Sequence, residues 1–599
     1  MNAKKKKSGK REVSAEKQAR AEKKTGAGKD AGVMREADAR EEVRPLRERI
    51  PGIITGIWVV LMLVVFPIVY DDYYFNILET KFTVYCFFAF GLFALMAVWW
   101  ILSLRIVRGP ASWIRGMRQE GLLCWFRRNW SGTDVCMLGF CLISVISTLG
   151  AGPYIHQAFT GEEGRFVGLL YIMILTAAYF IVSRNLRFRS VYVTLFLLAA
   201  LFVCLFGITD FFNMNLLHFR DRMDETQFHM FMSTIGNINT YTVFVGITCA
   251  LSGTLFVLSG EGLLRTLFYY LTAAVAMTAL VMGNSDNGYL TMLALLGFLP
   301  LAAFGTYRGI RRYALLTATF FSGLLFAGRE VRVLGDGVIG LEGISHLLVE
   351  SGKLPGITAL PWVLTAALFA LELRNRNASL KAGGGPDFRK PPALLKKIWA
   401  GLLIASAAVV LVLFLGANSV SAEEASQKYG SLASYLRFSD SWGTNRGYIW
   451  RACVEEYREL PLRQKLFGTG PDTFGIYMAL LRWNEMHQIT GQYYDAAHNE
   501  YLNYLFTVGP FGLLFFAGAL GFAIRDALRG AGKIAAGLVP EFRAELAPYL
   551  SAFAFLILCY AAQAVVNINI PIATPVMWTF LMIAEKMIRT VRKSAEQRK

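Results

Sequence analysis

The chain has 599 residues, 55% of them hydrophobic and only 17% charged, where soluble globular chains carry roughly 25% charged residues. Its apolar residues come in blocks of about 17–23, which excludes a soluble globular protein. The formal net charge of +18 gathers in residues 1–50 and in alternate loops, and attraction to anionic lipid accounts for it without a nucleic-acid partner.

Residues 1–50 read as a basic, disordered cytoplasmic tail, too long and too mixed in charge for the start of a signal peptide. About fourteen apolar spans follow, near 53–70, 82–104, 134–150, 166–183, 190–209, 241–259, 266–283, 289–306, 314–328, 355–372, 398–416, 500–523, 547–566 and 573–588. As helices such blocks are roughly 27–35 Å long, enough to cross the hydrocarbon core, and they lack the period-2 alternation of barrel strands. The expected fold is an all-α polytopic membrane protein of about 12–14 transmembrane helices with one large helical extracytoplasmic loop. Residues 51–416 carry about eleven spans, 417–497 the large loop, 498–590 the C-terminal spans and 591–599 a cytoplasmic tail. The stretches 105–134, 184–190, 307–313 and 374–397 are rich in arginine and lysine, and all fall on the side of the basic N-terminus. Both termini are therefore expected in the cytoplasm of a multi-pass protein of the cytoplasmic membrane.

Within the large loop, NRGYIWRACVEEYREL (Asn445–Leu460) reads as a helix with Ile449, Cys453, Tyr457 and Leu460 on one stripe, stopped by Pro461. FGTGPDTFG (Phe467–Gly475) is turn material. Of the eight cysteines, six sit in apolar spans, and they form neither a disulfide framework nor a metal-ligand spacing. The sequence has no phosphate-binding glycine loop, no dinucleotide fingerprint and no HExxH, so no nucleotide cofactor and no metal are expected.

Polar residues at the outer ends of the spans remain as candidates. They are Arg165 in GEEGRFVGL, Asn237 and Asn239 in STIGNINTYT, Ser285 and Asp286 in GNSDNGYL, Arg446 in WGTNRGYIW, and Asp495, His498 and Asn499 in DAAHNEYLNY. Each has an ordinary reading: Arg165 as a rim cation, the asparagines as helix N-caps, Asp286 as a turn anchor, His498 as an interfacial bystander. Their common placement on the outer face is what one site would require.

DAAHNEYLNYLFTVGPFG (Asp495–Gly512) resembles the signature of the O-antigen ligase and polymerase family, in which a His-Asn pair opens a late span ending in Gly-x-x-Gly. GEEGRFVGLL is similar to that family's Gly-x-x-Gly-Arg-x-x-Gly-Leu element, STIGNINTYTVFVG to its Gly-Asn-x-Asn element, and SWGTNRGYIW with LFGTGPDTF to the start and turn of its large outer loop. The likeness runs from about Gly150 to the C-terminus. One element departs: many relatives have Ser-Arg at the mid-chain turn, where this chain has Ser285–Asp286. The resemblance implies a glycosyltransferase on the outer face. Its donor would be an undecaprenyl-diphosphate-linked glycan and its acceptor a hydroxyl of another glycan or lipid-linked sugar, with ligase and polymerase both open.

That chemistry suits the residues. Displacing a diphosphate at an anomeric carbon builds negative charge, and without a metal, arginines must stabilise it. Arg165 and Arg446 are the first choices, with Arg220 and Arg222 of HFRDR as further binders. His498 would be the base, with Asp495 to orient it if the segment is helical; Asn499, Asn237 and Asn239 would hold sugar hydroxyls. Trp483 and Tyr493–Tyr494 would suit sugar stacking or an interfacial belt. The rival reading is a transporter or flippase of lipid-linked glycans, which internal repeats would favour; none is visible. A non-catalytic scaffold would need neither His498 nor Arg446.

Overall fold

A computed structural model describes residues 49–106, 121–161, 165–381, 391–540 and 543–596. The expected basic tail, apart from Arg49 and Ile50, and much of the basic loops 105–134 and 374–397 lie outside the described residues. Each predicted span falls on helical structure, that at 500–523 on two helices rather than one. The main helices, in chain order, are α1 (Arg49–Ile68), α2 (Ile77–Ile106), α3 (Gly132–Leu149), α4 (Leu169–Asn185), α5 (Ser190–Phe211), α6 (Ile238–Leu258), α7 (Leu263–Met282), α8 (Asn287–Ala303), α9 (Tyr307–Leu334), α10 (Leu354–Lys381), α11 (Leu394–Asn418), α12 (Gly509–Ala535), α13 (Ala544–Gln563) and α14 (Thr574–Glu596). A single two-residue pairing, Phe231–Met232 with Gly236–Asn237, is the only strand structure among the described residues.

Eleven of these helices are long and apolar enough to cross a membrane, fewer than the 12–14 expected. The difference has two causes. At 17 residues each, α4 and α8 are about 25 Å long, slightly short of the hydrocarbon core. α14 carries Glu585, Lys586 and Arg589 in its second half, yet Glu585 is fully buried, so this helix is sheathed by protein rather than lipid. The predicted span 500–523 is also not one helix. It breaks at Val508–Gly509 into a short helix, Glu500–Thr507, and α12.

The bundle is built around α6, in which nearly every residue is buried. It packs on α7, α8 and α13, while α12 lies along α3 and α13. Small residues allow the close approach: a Cβ on Gly246 of α6 would lie 2.9 Å from Thr291 Oγ1 of α8. By contrast α2, α10 and α11 turn most of their apolar surface outward, as helices at a lipid-facing rim do. Two of the charged side chains that enter the bundle find close partners. Asp134 of α3, fully buried, accepts from Tyr179 Oη of α4 at 2.9 Å and is bonded by Arg184 and by Arg589 of α14. At the far end of α1, the buried Lys81 of α2 donates to the carbonyls of Phe66 and Pro67 at 2.8 Å each, satisfying the last carbonyls of that helix.

The large loop has its own small core. Its helix Trp442–Glu459 buries Tyr448, Ile449, Ala452 and Cys453 against Phe474, Met478 and Met486 of Phe474–Thr490 and against Phe506 of the short helix before α12. The predicted stripe of Ile449, Cys453, Tyr457 and Leu460 is the face that does this.

Candidate active site

A cavity of about 400 Å³ opens where α2, α6 and the segment leading into α4 begin, roofed by residues 498 and 567–572. The starts of the second, fourth and sixth spans meet there, which places them at one end of the bundle. Arg165, Asn237, Asn239 and His498 all line it, although they are spread over more than half of the sequence.

Glycines hold these residues in place by letting backbones touch. A Cβ on Gly168 would stand 2.4 Å from the nitrogen of Gly161, so the two ends of the GEEGRFVGLL loop close on each other. Between them Phe166, at φ 55°, stacks on Phe82 of α2 at 4.8 Å, and the nitrogen of Val167 donates to Asp472 of the FGTGPDTF turn. That turn in turn docks on the end of Glu500–Thr507: the nitrogen of Gly470 donates to the Thr507 carbonyl at 2.9 Å. Gly509, at φ 77°, faces the Leu466 carbonyl so closely that a Cβ would be 2.3 Å from it. This contact breaks the predicted span at residue 508. The three glycine-bearing motifs are thus welded together beneath the cavity.

His498 sits at φ 47° in the non-helical stretch that follows Gly491, so Asp495 is not one helical turn before it. Asp495 instead binds Arg165 through two bonds, Nε to Oδ2 and Nη2 to Oδ1, each 2.5 Å. Tyr494 packs edge-on against the imidazole at 5.5 Å, and Trp450 Nε1 holds the neighbouring Ala497 carbonyl at 3.0 Å. Asn499 is buried and caps the short helix, accepting from the nitrogens of Tyr501 and Leu502 at 3.1 Å. Burial, together with the positive charges of Arg446 and Arg165, pushes the His498 imidazole down to about 3, with Asp495 acting weakly the other way. The side chain is therefore neutral, with a lone pair free to accept a proton.

Arg446 lies off the cavity wall but near enough for its charge to act on His498. It starts a helix whose entry runs through Gly443, Thr444 and Asn445, all at positive φ, and one guanidinium nitrogen donates to the Gly443 carbonyl at 2.9 Å. Its Nε is buried without a partner among the described residues. Burial lowers its affinity for the proton, opposed by the charge of Asp286. Asp286 accepts from Ile344 N at 2.8 Å and from Tyr435 Oη at 3.3 Å, and so ties the mid-chain turn to the large loop. Ser285 Oγ donates to Asn239 Oδ1 at 2.7 Å. Asn237 caps α6 through Asn239 N at 2.9 Å.

Arg220 and Arg222 do not reach the cavity wall. Arg220 is buried in the segment that follows α5, bonded to Asn213 Oδ1 at 3.0 Å and lying over the Phe228 ring. Arg222 is exposed, paired with Asp72 and stacked on Tyr73 and Phe75. Trp483 and Tyr493 form an exposed aromatic pair on the loop, 5.6 Å apart, while Tyr494 is buried. Two wall residues had not been singled out. Glu79 in the first turn of α2 lines the cavity, as does Asn567, whose Nδ2 donates to the Asn239 carbonyl at 3.3 Å. The signal for Asn567 was present: the tripeptide Asn-Ile-Asn occurs at 237–239 and again at 567–569, and both copies border the cavity. Among the described residues no three His, Cys, Asp or Glu side chains gather as a metal site would require.

The fold and the site together define a multi-pass, all-α membrane protein with a cavity at one end of its bundle, whose largely apolar wall carries Arg165, Glu79, His498 and a group of asparagines. Residues 349–517 match the family model for O-antigen ligase. The matched stretch runs from just before α10 through the large loop into α12, less than a third of the chain, and over that stretch the protein is similar to the O-antigen ligase family. Arg446, Asp495, His498 and Asn499 fall inside the matched stretch, and Arg165, Asn237 and Asn239 outside it. No curated protein matches the chain.

Proposed function

We propose that the protein transfers a glycan from an undecaprenyl-diphosphate carrier to an acceptor sugar hydroxyl, without a metal, on the outer face of the cytoplasmic membrane, in cell-surface polysaccharide assembly. The observation that carries this reading is the cavity joining Arg165, Asn237, Asn239 and His498, with Arg446 close by. It lies at a bundle end, where a polyprenyl tail could stay in lipid while its diphosphate and sugar reach the polar residues of the wall. The loop charges support an outward-facing site, since the basic loops alternate with the one that contains His498.

In the reaction the acceptor oxygen forms a bond to the anomeric carbon as the bond from that carbon to the diphosphate oxygen breaks. The electron pair leaves with the diphosphate, and the hydroxyl proton passes to the His498 imidazole. Arg165 and Arg446 hold the leaving group's charge. Burial first makes His498 a weak base while the cavity lacks donor, and their charge adds a further repulsion. A diphosphate between them cancels that repulsion, so the donor itself raises the basicity of His498 when the proton must be taken. Glu79 is the second wall residue able to accept a proton, and its removal distinguishes the two.

The test uses purified protein in nanodiscs with an undecaprenyl-diphosphate glycan and EDTA, with the lipid products separated by thin-layer chromatography. Longer lipid-linked chains from donor alone identify a polymerase, and transfer only to a different added acceptor identifies a ligase. Either activity should be lost in His498→Ala and kept in Glu79→Gln. Movement of labelled donor across the bilayer with no transfer would overturn the enzyme reading in favour of a flippase.

A further inference from the structure

A second cavity, of about 520 Å³, opens between α1 and the start of α5. α1 runs twenty residues from Arg49 at this cavity to the Pro67–Ile68 end, whose carbonyls are bonded by Lys81 and Thr234. That places the second cavity about 30 Å from the catalytic end of the bundle. Its walls have two unlike parts. Along α1, Ile53 and Ile57 are more than half exposed, and with Val60 and Leu61 they form an apolar trough. Gly52 and Gly56, one turn apart, bring α1 down onto its neighbour: a Cβ on Gly56 would lie 2.6 Å from Tyr192 Oη, and one on Gly52 would lie 3.2 Å from Cγ of Arg187. At the mouth of the trough stand three exposed arginines, Arg49, Arg187 and Arg189.

Basic residues beside a span need no ligand when they simply face water. Here three guanidinium groups ring one end of an apolar trough that opens toward lipid. An acyl chain suits the trough, and a phosphodiester suits the cationic mouth. A zwitterionic headgroup would bring an ammonium against the same three cations, so charge complementarity selects a lipid of net negative charge. We propose that the groove between α1 and α5 binds an anionic phospholipid, with Arg49, Arg187 and Arg189 on its phosphodiester and Ile53 and Ile57 against an acyl chain.

Native mass spectrometry of the full chain in detergent, titrated with palmitoyl-oleoyl phosphatidylglycerol or the matching phosphatidylethanolamine, tests this. Wild-type protein should hold phosphatidylglycerol at least about tenfold more tightly. Arg49→Gln/Arg187→Gln/Arg189→Gln should erase that preference, with the variant remaining monodisperse because all three side chains are exposed. Ile57→Trp, which fills the trough and leaves the arginines in place, should also weaken phosphatidylglycerol retention. Equal retention of the two lipids by wild type would overturn the proposal. So would loss in the arginine variant with full retention in Ile57→Trp, since that marks plain surface attraction, and so would displacement of the lipid by millimolar inorganic phosphate. None of these readouts involves glycan transfer.

Discussion

His498 reaches the cavity as a neutral imidazole because it is buried beside two arginines. In the unloaded protein it binds no proton between about pH 5 and 8, so kcat/KM should stay flat down to about pH 5. A diphosphate-loaded site partly restores the ordinary affinity, so the acid-side fall should appear in kcat alone. A fall in kcat/KM centred near 6.5, the reference value for histidine, would contradict this account. Replacing His498 with alanine should cost about 100-fold or more in kcat at unchanged protein level, within the range of general-base contributions. Arg446→Lys keeps the charge and loses the planar fork, and should lower kcat by about tenfold or more while donor binding changes less. Single-turnover transfer with saturating donor reads both.

Among the elements, the segments that meet backbone to backbone hold the site in shape. Gly509→Ala puts a methyl against the Leu466 carbonyl at a φ of 77°, so a loss of about 2 kcal/mol or more is expected, read as a lower melting temperature in detergent. Asn499→Ala removes the cap of Glu500–Thr507 and should cost about 1 kcal/mol. The sequence marks such joints well when glycine spacing is unusual, as in GEEGRFVGLL and FGTGPDTFG. It marks them poorly inside an apolar run. LNYLFTVGPFGLL reads as one continuous span, yet the need for Gly509 to touch Leu466 splits it.

Across the whole molecule, the buried charge of Asp134 binds α3, α4 and α14 to one another. Asp134→Ala would remove the carboxylate that Arg184 and Arg589 share, leaving Arg589 only Glu585 and the Asn129 carbonyl, and a loss of about 3 kcal/mol is expected, seen as a fall in monodisperse protein after detergent extraction. The same pairing explains why α14 falls outside the eleven helices that are apolar enough to cross: Glu585 and Arg589 find their partners inside the protein. The chain by itself determined that this is a helical membrane protein, where its spans run, and that Arg165, Asn237, Asn239, Arg446 and His498 were candidates, because hydrophobic length, loop charge and local motifs are all short-range properties. Only the tertiary structure decided which candidates share a cavity. It put Asn567 and Glu79 on the wall, left Arg220 and Arg222 off it and turned Asp495 to Arg165. The reason is physical: contacts between helix ends hundreds of residues apart depend on how the helices pack, and no local pattern records that packing.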